Sequence, residues 1–301
     1  MLSRVADALY WMGRYMERAE HGARALGVAH SMLLDLAEVQ PSSAEAYWTQ
    51  TLRALSLPEL PLADLVFDEQ GPSSILASVS RARENSRQVR EVISSEMWEE
   101  LNELYWLLKD AAHAESREED LAATLAEVVA ASFAFAGVTD GTMRRGEGWL
   151  FTKLGQFVER ADKVSRMVRM RVSGLTPLLA SDENLMWVSL LRSCNALEAF
   201  RKVHPTRLDS RQVIDFLVLD REFPHTIRYS VAVAGDFARR LAQDTGDRGR
   251  EVERAFGRLA SRLSYIDVDE VLAQGVDPFL DELTQELSTA GLTLQRTYFL
   301  H

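Results

Sequence analysis

Sulfur chemistry is nearly missing, because the 301 residues include one cysteine, Cys194. A single thiol excludes an internal disulfide and a thiolate metal cluster, and it fits a reducing cytoplasm. Positive charge is short as well. With 34 Lys and Arg against 45 Asp and Glu the net charge is -11, so nothing neutralises phosphates over an extended surface and nucleic acid is not an expected partner. Long apolar runs are missing too. The N-terminal stretch is interrupted by Arg4, Asp7, Arg14, Glu17, Arg18 and Glu20, which suits neither a signal peptide nor a membrane span. The longest apolar stretch, Val128 to Val138, is too short to cross a bilayer, and a cytoplasmic protein without a membrane partner is expected.

Catalytic signatures are equally scarce. There is no Walker-type phosphate loop, no serine nucleophile elbow and no His-Glu-x-x-His, so no self-contained catalytic set is visible. A carboxylate-bridged dimetal bundle needs two Glu-x-x-His pairs. The one such pair, Glu222 to His225, is interrupted by Pro224, and His21 is replaced by Lys163 at the corresponding place in the second half. No metal and no cofactor are expected.

What is present is a repeat. Gly13-Arg14-Tyr15-Met16-Glu17-Arg18-Ala19-Glu20 returns 142 residues later as Gly155-Gln156-Phe157-Val158-Glu159-Arg160-Ala161-Asp162, with Arg24 answered by Arg166. Trp48 and Arg53 recur as Trp187 and Arg192, and Leu65-Val66-Phe67-Asp68 with Ile75 recurs as Leu217-Val218-Leu219-Asp220 with Ile227. Three blocks in one order argue for duplication. The expectation is one body over residues 1–301, built from halves at about 1–143 and 144–301, joined near Gly141 to Gly148 and related by a pseudo-two-fold axis.

Helical periodicity dominates and no segment alternates with period two, so the fold class is all-α, a single large helical bundle. Val5, Leu9, Met12, Met16, Ala19, Ala23 and Leu26 follow a 4,3 spacing, echoed by Phe151, Leu154, Val158, Ala161, Ser165 and Val168. Such seams predict two long helices packed side by side. Ser73 is read as the N-cap of a helix running through Ser94, Ser95 opens the next, and the last helix starts at Pro278. Loops are read at Gln40 to Ser43, Gly174 to Pro177 and Thr245 to Asp247.

Glu17 and Arg18 lie off the seam, yet Tyr10, Trp11 and Tyr15 make their helix apolar on several sides. The helix is therefore expected to be enclosed, and a buried Glu-Arg pair must be matched. An arginine fork suits a carboxylate or a phosphate, and it can equally clamp the glutamate of the other repeat. Both readings stay open: a four-charge network of Glu17, Arg18, Glu159 and Arg160, or a ligand site. Gly13 and Gly155, inside helices, point to close approach by another helix. A second cluster holds Arg81, Arg83, Glu84, Arg87, Arg90 and Glu91. It is either a solvated face or, with Arg14, Arg18, Arg24, Arg160 and Arg166, a cationic lining for a carboxylate or phosphorylated group.

The segments LSRVADALYWMGRYMERAE, AREN, SSEMWEELN and FLVLDREFPHTI together resemble the Alpha-E family, a bacterial all-helical group named for its Glu-Arg motif. The likeness runs from Leu2 through Val231 and places the motif on Glu17 and Arg18. It implies association with a circularly permuted ATP-grasp protein, a transglutaminase-like protein and sometimes a proteasome-like peptidase. The expected function is a non-enzymatic binding or scaffold component that docks an ATP-grasp protein or holds its acidic peptide-like substrate. The alternative is a small-molecule enzyme in which Arg18 and Arg160 orient a carboxylate or phosphate and Glu17 or Glu159 moves a proton.

Overall fold

The two 4,3 seams become the longest helices, and they pack on each other. The computed structural model describes residues 1–36, 41–71, 73–173, 180–205, 208–245 and 249–299, which are all-helical. Helix α1 spans Ser3–Leu36 and α7 spans Glu147–Ser173. Every residue of both seams is buried. At about 1.5 Å per residue α1 is roughly 50 Å long, which makes it the spine against which most other elements pack.

The glycines set how close the two helices come. A Cβ on Gly13 would overlap the carbonyl oxygen of Thr152, and one on Gly155 would overlap the carbonyl oxygen of Tyr10. Only glycine allows backbone to meet backbone there, which offsets its cost of about 0.5–1 kcal/mol within a helix. The contacts are reciprocal and fix the register of α1 against α7.

Around this pair lie α2 (Pro41–Leu55), α3 (Leu62–Phe67), α4 (Ile75–Gln88), α5 (Ser95–His113) and α6 (Leu121–Thr142) from the first half. The second half adds α8 (Ala180–Ser193), α9 (Leu197–Val203), α10 (Ser210–Leu219), α11 (Ile227–Thr245), α12 (Arg250–Tyr265), α13 (Val268–Gln274) and α14 (Val276–Tyr298). Helix α1 packs on α2, α4 and α6, while α7 packs on α8, α11 and α14. The outer contacts run α4 to α5 to α6, and α11 to α12 to α14.

Local chemistry explains the boundaries. Helices α2 and α8 end alike, on Ser56 (φ 59°) and Asn195 (φ 54°). In each a backbone N–H returns across the last turn, Leu57 to the Leu52 carbonyl at 2.8 Å and Ala196 to the Leu191 carbonyl at 2.7 Å, the Schellman arrangement. The loops before α4 and α11 also match. Asp68 Oδ1 accepts from the Gln70 N–H and Asp220 Oδ1 from the Glu222 N–H, each at 2.9 Å, while the Ser74 and Thr226 hydroxyls donate to the Asp68 and Asp220 carbonyls.

Several boundaries differ from expectation. Ser74, not Ser73, caps α4, accepting from the Ala77 N–H at 3.1 Å, and α4 stops at Gln88 because the chain turns to bury Val89 and Ile93. Ser94 then caps α5. The left-handed Gly275 (φ 89°) starts α14 at Val276, so Pro278 is its third residue. Pro41 opens α2 rather than closing a loop, since its ring suits a first helical turn. Gln40, Gly174 to Pro177 and Gly246-Asp247 lie outside the described residues. Helix α6 also corrects the reading of a short apolar stretch: alanine, threonine and glycine around Val128–Val138 extend it to a helix long and apolar enough, by length and composition alone, to cross a membrane. One third of its apolar window is buried, against α1 and α5.

A candidate functional site between the two long helices

The register set by Gly13 and Gly155 brings the Glu-Arg motifs together across the seam. Glu159, buried on α7, accepts from Arg14 Nε at 2.7 Å and from Arg18 Nε and Nη2 at 2.7 and 3.1 Å. Lys163 Nζ stands 3.9 Å away. Burial alone would raise the pKa of Glu159, but the Arg14 and Arg18 charges, the Arg18 hydrogen bond and Lys163 outweigh it and hold the carboxyl well below the usual range. On the other side Glu17 accepts from Arg160 Nε, and from its Nη2 at 2.8 Å. Arg160 also donates to the Pro224 carbonyl at 3.3 Å and lies over the Phe157 ring. Burial opposes its charge, and Glu17 more than compensates.

One turn further, each helix carries its own pair. Arg24 holds Glu20 through Nε at 2.8 Å, and Arg166 holds Asp162 at 2.9 Å. Glu20 is buried while Arg166 reaches the surface. Desolvation, reinforced by the neighbouring Glu17 charge, raises the pKa of Glu20.

Beside Glu17 and Glu20 a cavity of about 50 Å3 opens, lined also by Arg160, His225, Thr139 and Ser132. Space on that scale suits a few waters or a small polar group, not a peptide. His225 is kept neutral, its pKa pushed well down by burial and by Arg160 and Arg24. Asn195 Nδ2 lies 3.5 Å from its Nε2. His21, buried behind the same helix face, is pushed down to about 3 by burial and by the Lys163 and Arg24 charges. At the cavity itself a protonatable carboxyl, the His225 imidazole and a fixed guanidinium can bind and exchange a proton with a small polar molecule.

The sequence-derived candidates therefore divide. Arg14 and Arg18 meet on Glu159, and Arg160 meets Glu17, as two separate ion-pair groups across the seam, with Arg24 and Arg166 each paired on its own helix. Arg83 and Arg87 stand apart. Arg83 donates to Asn102 Oδ1 at 2.9 Å and lies over the Tyr105 ring; Arg87 pairs with Glu84 at 2.7 Å in solvent. Of that second cluster Arg81 reaches the motif helix, lying over the Tyr15 ring that Arg18 also covers, while Arg83 and Arg87 are engaged elsewhere. His225 entered the sequence reading only as a failed metal ligand, because nothing local shows that α11's leading loop reaches α1. Among the described residues no group of three His, Cys, Asp or Glu could hold a metal.

The Alpha-E family model, described as a predicted alpha-helical domain with a conserved ER motif, matches residues 1–299. The chain is similar to the uncharacterized protein Mb2597 of Mycobacterium bovis and to the uncharacterized protein Rv2567 of Mycobacterium tuberculosis, each 24% identical over 316 residues. The match covers 93% of this chain and 34% of each relative, so the chain spans about a third of their length. No solved structure matches it significantly.

Proposed function

This chain belongs to the Alpha-E family, and on that premise we propose that it is a non-enzymatic binding or scaffold component of an ATP-grasp-linked peptide or amide-bond-forming system, working in the cytoplasm. The observation that carries this reading is the mutual saturation of the motif. Glu159 is held by Arg14 and Arg18, and Glu17 by Arg160, so the Glu-Arg residues act as a clamp that rigidifies α1 against α7. A rigid core leaves the work to the outer surface. The outward face of α6, with Ala126, Ala130 and Phe133 exposed, offers apolar area for an ATP-grasp partner. The test is co-purification from the native organism. The expected result is a complex with an ATP-grasp protein that Ala130→Glu disrupts, and no ATP hydrolysis by the isolated chain. Turnover of ATP by the pure chain would overturn the reading.

The finer architecture is part of the same proposal: two diverged repeats related by a pseudo-two-fold axis through the Gly13 and Gly155 contacts, folded as one body. Supporting it, the helix order α1, α2, α3, α4, α5, α6 is answered by α7, α8, α10, α11, α12, α14, with α9 and α13 inserted. The twin Schellman ends and twin aspartate loops fall at the offsets the sequence repeat gives.

A second reading, a small-molecule binder or enzyme, has one observation in its favour: the cavity holding Glu17, Glu20, Arg160 and His225. Glu20→Gln keeps the shape and removes the titrating group. Loss of pathway product with unchanged partner binding would favour this second reading.

A further inference from the structure

The interior arginines share one habit. Arg18, Arg24 and Arg160 each present the edge formed by Nε and Nη2 to a carboxylate, of Glu159, Glu20 and Glu17 in turn. Arg171, at the far end of α7, breaks that habit. It is 3% exposed, and its Nε and Nη2 have no hydrogen-bond partner among the described residues. Its guanidinium carbon lies 4.5 Å from the centre of the buried Trp187 ring, which supports one flat face and leaves the donor edge free. The acid acting on it is Glu183, an exposed residue engaged by the Trp187 indole N–H at 3.3 Å.

Arg171 does not stand alone. The hydroxyls of Tyr47 and Thr51, one turn apart on α2, and of Ser193 at the end of α8 are also buried without a hydrogen-bond partner among the described residues. Tyr47 lies within hydrogen-bonding reach of both Thr51 and Ser193 and feels the Arg171 charge. The hydroxyls can therefore satisfy one another in part, but the Arg171 edge is left with no acceptor among the described residues, which is unusual, since buried donors are nearly always satisfied. Three hydroxyls beside one unmatched cation make a donor-rich cradle carrying a single positive charge. Its complement is a group with one or two negative charges and at least two coplanar acceptor oxygens.

We propose that Arg171, Tyr47, Thr51 and Ser193 form a binding site for an oxyanion, the carboxylate or phosphate group of a small ligand, between α2, α7 and α8. The fork of Arg171 takes two oxygens of the anion, and the hydroxyls donate to the remaining lone pairs. This site is separate from the Glu17–Arg160 clamp and from the partner surface on α6.

The test is the thermal midpoint of the full chain, titrated with inorganic phosphate and with acetate, each against chloride at matched ionic strength. A ligand that binds only the folded state raises the midpoint saturably. The expected result is such a rise for at least one anion, with a half-saturating concentration about tenfold or more higher in Arg171→Met. A response to phosphate alone assigns a phosphorylated ligand, and one to acetate alone assigns a carboxylate. Arg18→Lys should keep the response. If Arg171→Met does not fold, tryptophan emission decides: the anion should shift it in the wild-type chain and not in Trp187→Phe. No saturable response beyond chloride, an equal response in Arg171→Met, or an emission shift that survives in Trp187→Phe overturns the proposal.

Discussion

Gly13 lies so close to the carbonyl of Thr152 that a methyl group on its Cα would overlap the oxygen. Gly13→Ala gains helix propensity but forces α1 away from α7, and overpacking of this kind costs about 1–3 kcal/mol or more. Gly137→Ala, on α6 with nothing within 4 Å of the added carbon, should stabilise by about 0.5–1 kcal/mol. Urea unfolding of both variants checks the contrast, and two equal midpoints would remove the glycine contact as the device that sets the helix spacing.

Among the described residues Arg160 is the sole arginine bonded to Glu17, whereas Glu159 has Arg14, Arg18 and nearby Lys163. Arg160→Ala therefore strands a buried carboxylate and should cost about 3–5 kcal/mol. Arg18→Ala should cost clearly less, since Glu159 keeps two cations. Denaturant midpoints of the two variants give the order; a larger loss for Arg18→Ala would refute it.

The buried imidazoles make stability depend on pH. His21 binds no proton in the folded state until about pH 3, whereas an unfolded histidine binds one below about 6.5. The unfolded state thus holds more protons in that window, and stability falls as pH drops through it, by about 1.4 kcal/mol per pH unit for each such histidine. His225 acts in the same sense. Glu20, with a raised pKa, acts oppositely, losing its contribution as pH rises; Glu159 contributes down to well below the usual carboxylate range. Comparing His21→Leu with the wild type isolates one slope. The difference in unfolding free energy should change by about 1.4 kcal/mol per unit between pH 6 and 4, and parallel curves would show that His21 does not titrate as argued.

Ser56 holds a left-handed conformation (φ 59°) at the end of α2, which costs a side-chain-bearing residue roughly 1–2 kcal/mol. Ser56→Gly keeps the Leu57 to Leu52 hydrogen bond and should raise stability by about 0.5–1 kcal/mol. Calorimetry reads the gain directly, and a lowered midpoint would mean that the serine side chain itself matters there.

By itself the sequence determined the helical class, the seams of α1 and α7, the two glycines and the order of repeated blocks, because each depends on spacing along one chain segment. It also led to the expectation that Glu17 is matched, since aromatic neighbours enclose its helix, and the repeat extended that expectation to Glu159. Tertiary structure alone decided which cations match them. Arg14 and Arg18 are each separated from Glu159 by more than a hundred residues, and only the glycine-set register of α1 against α7 makes the pairing cross between helices. The same holds for His225, carried to Glu17 and Glu20 by the loop before α11, and for Arg171, whose orphaned edge is visible only once α2 and α8 close around it. Periodicity tells which face of a helix is buried; what that face meets is set by packing with elements distant in the chain.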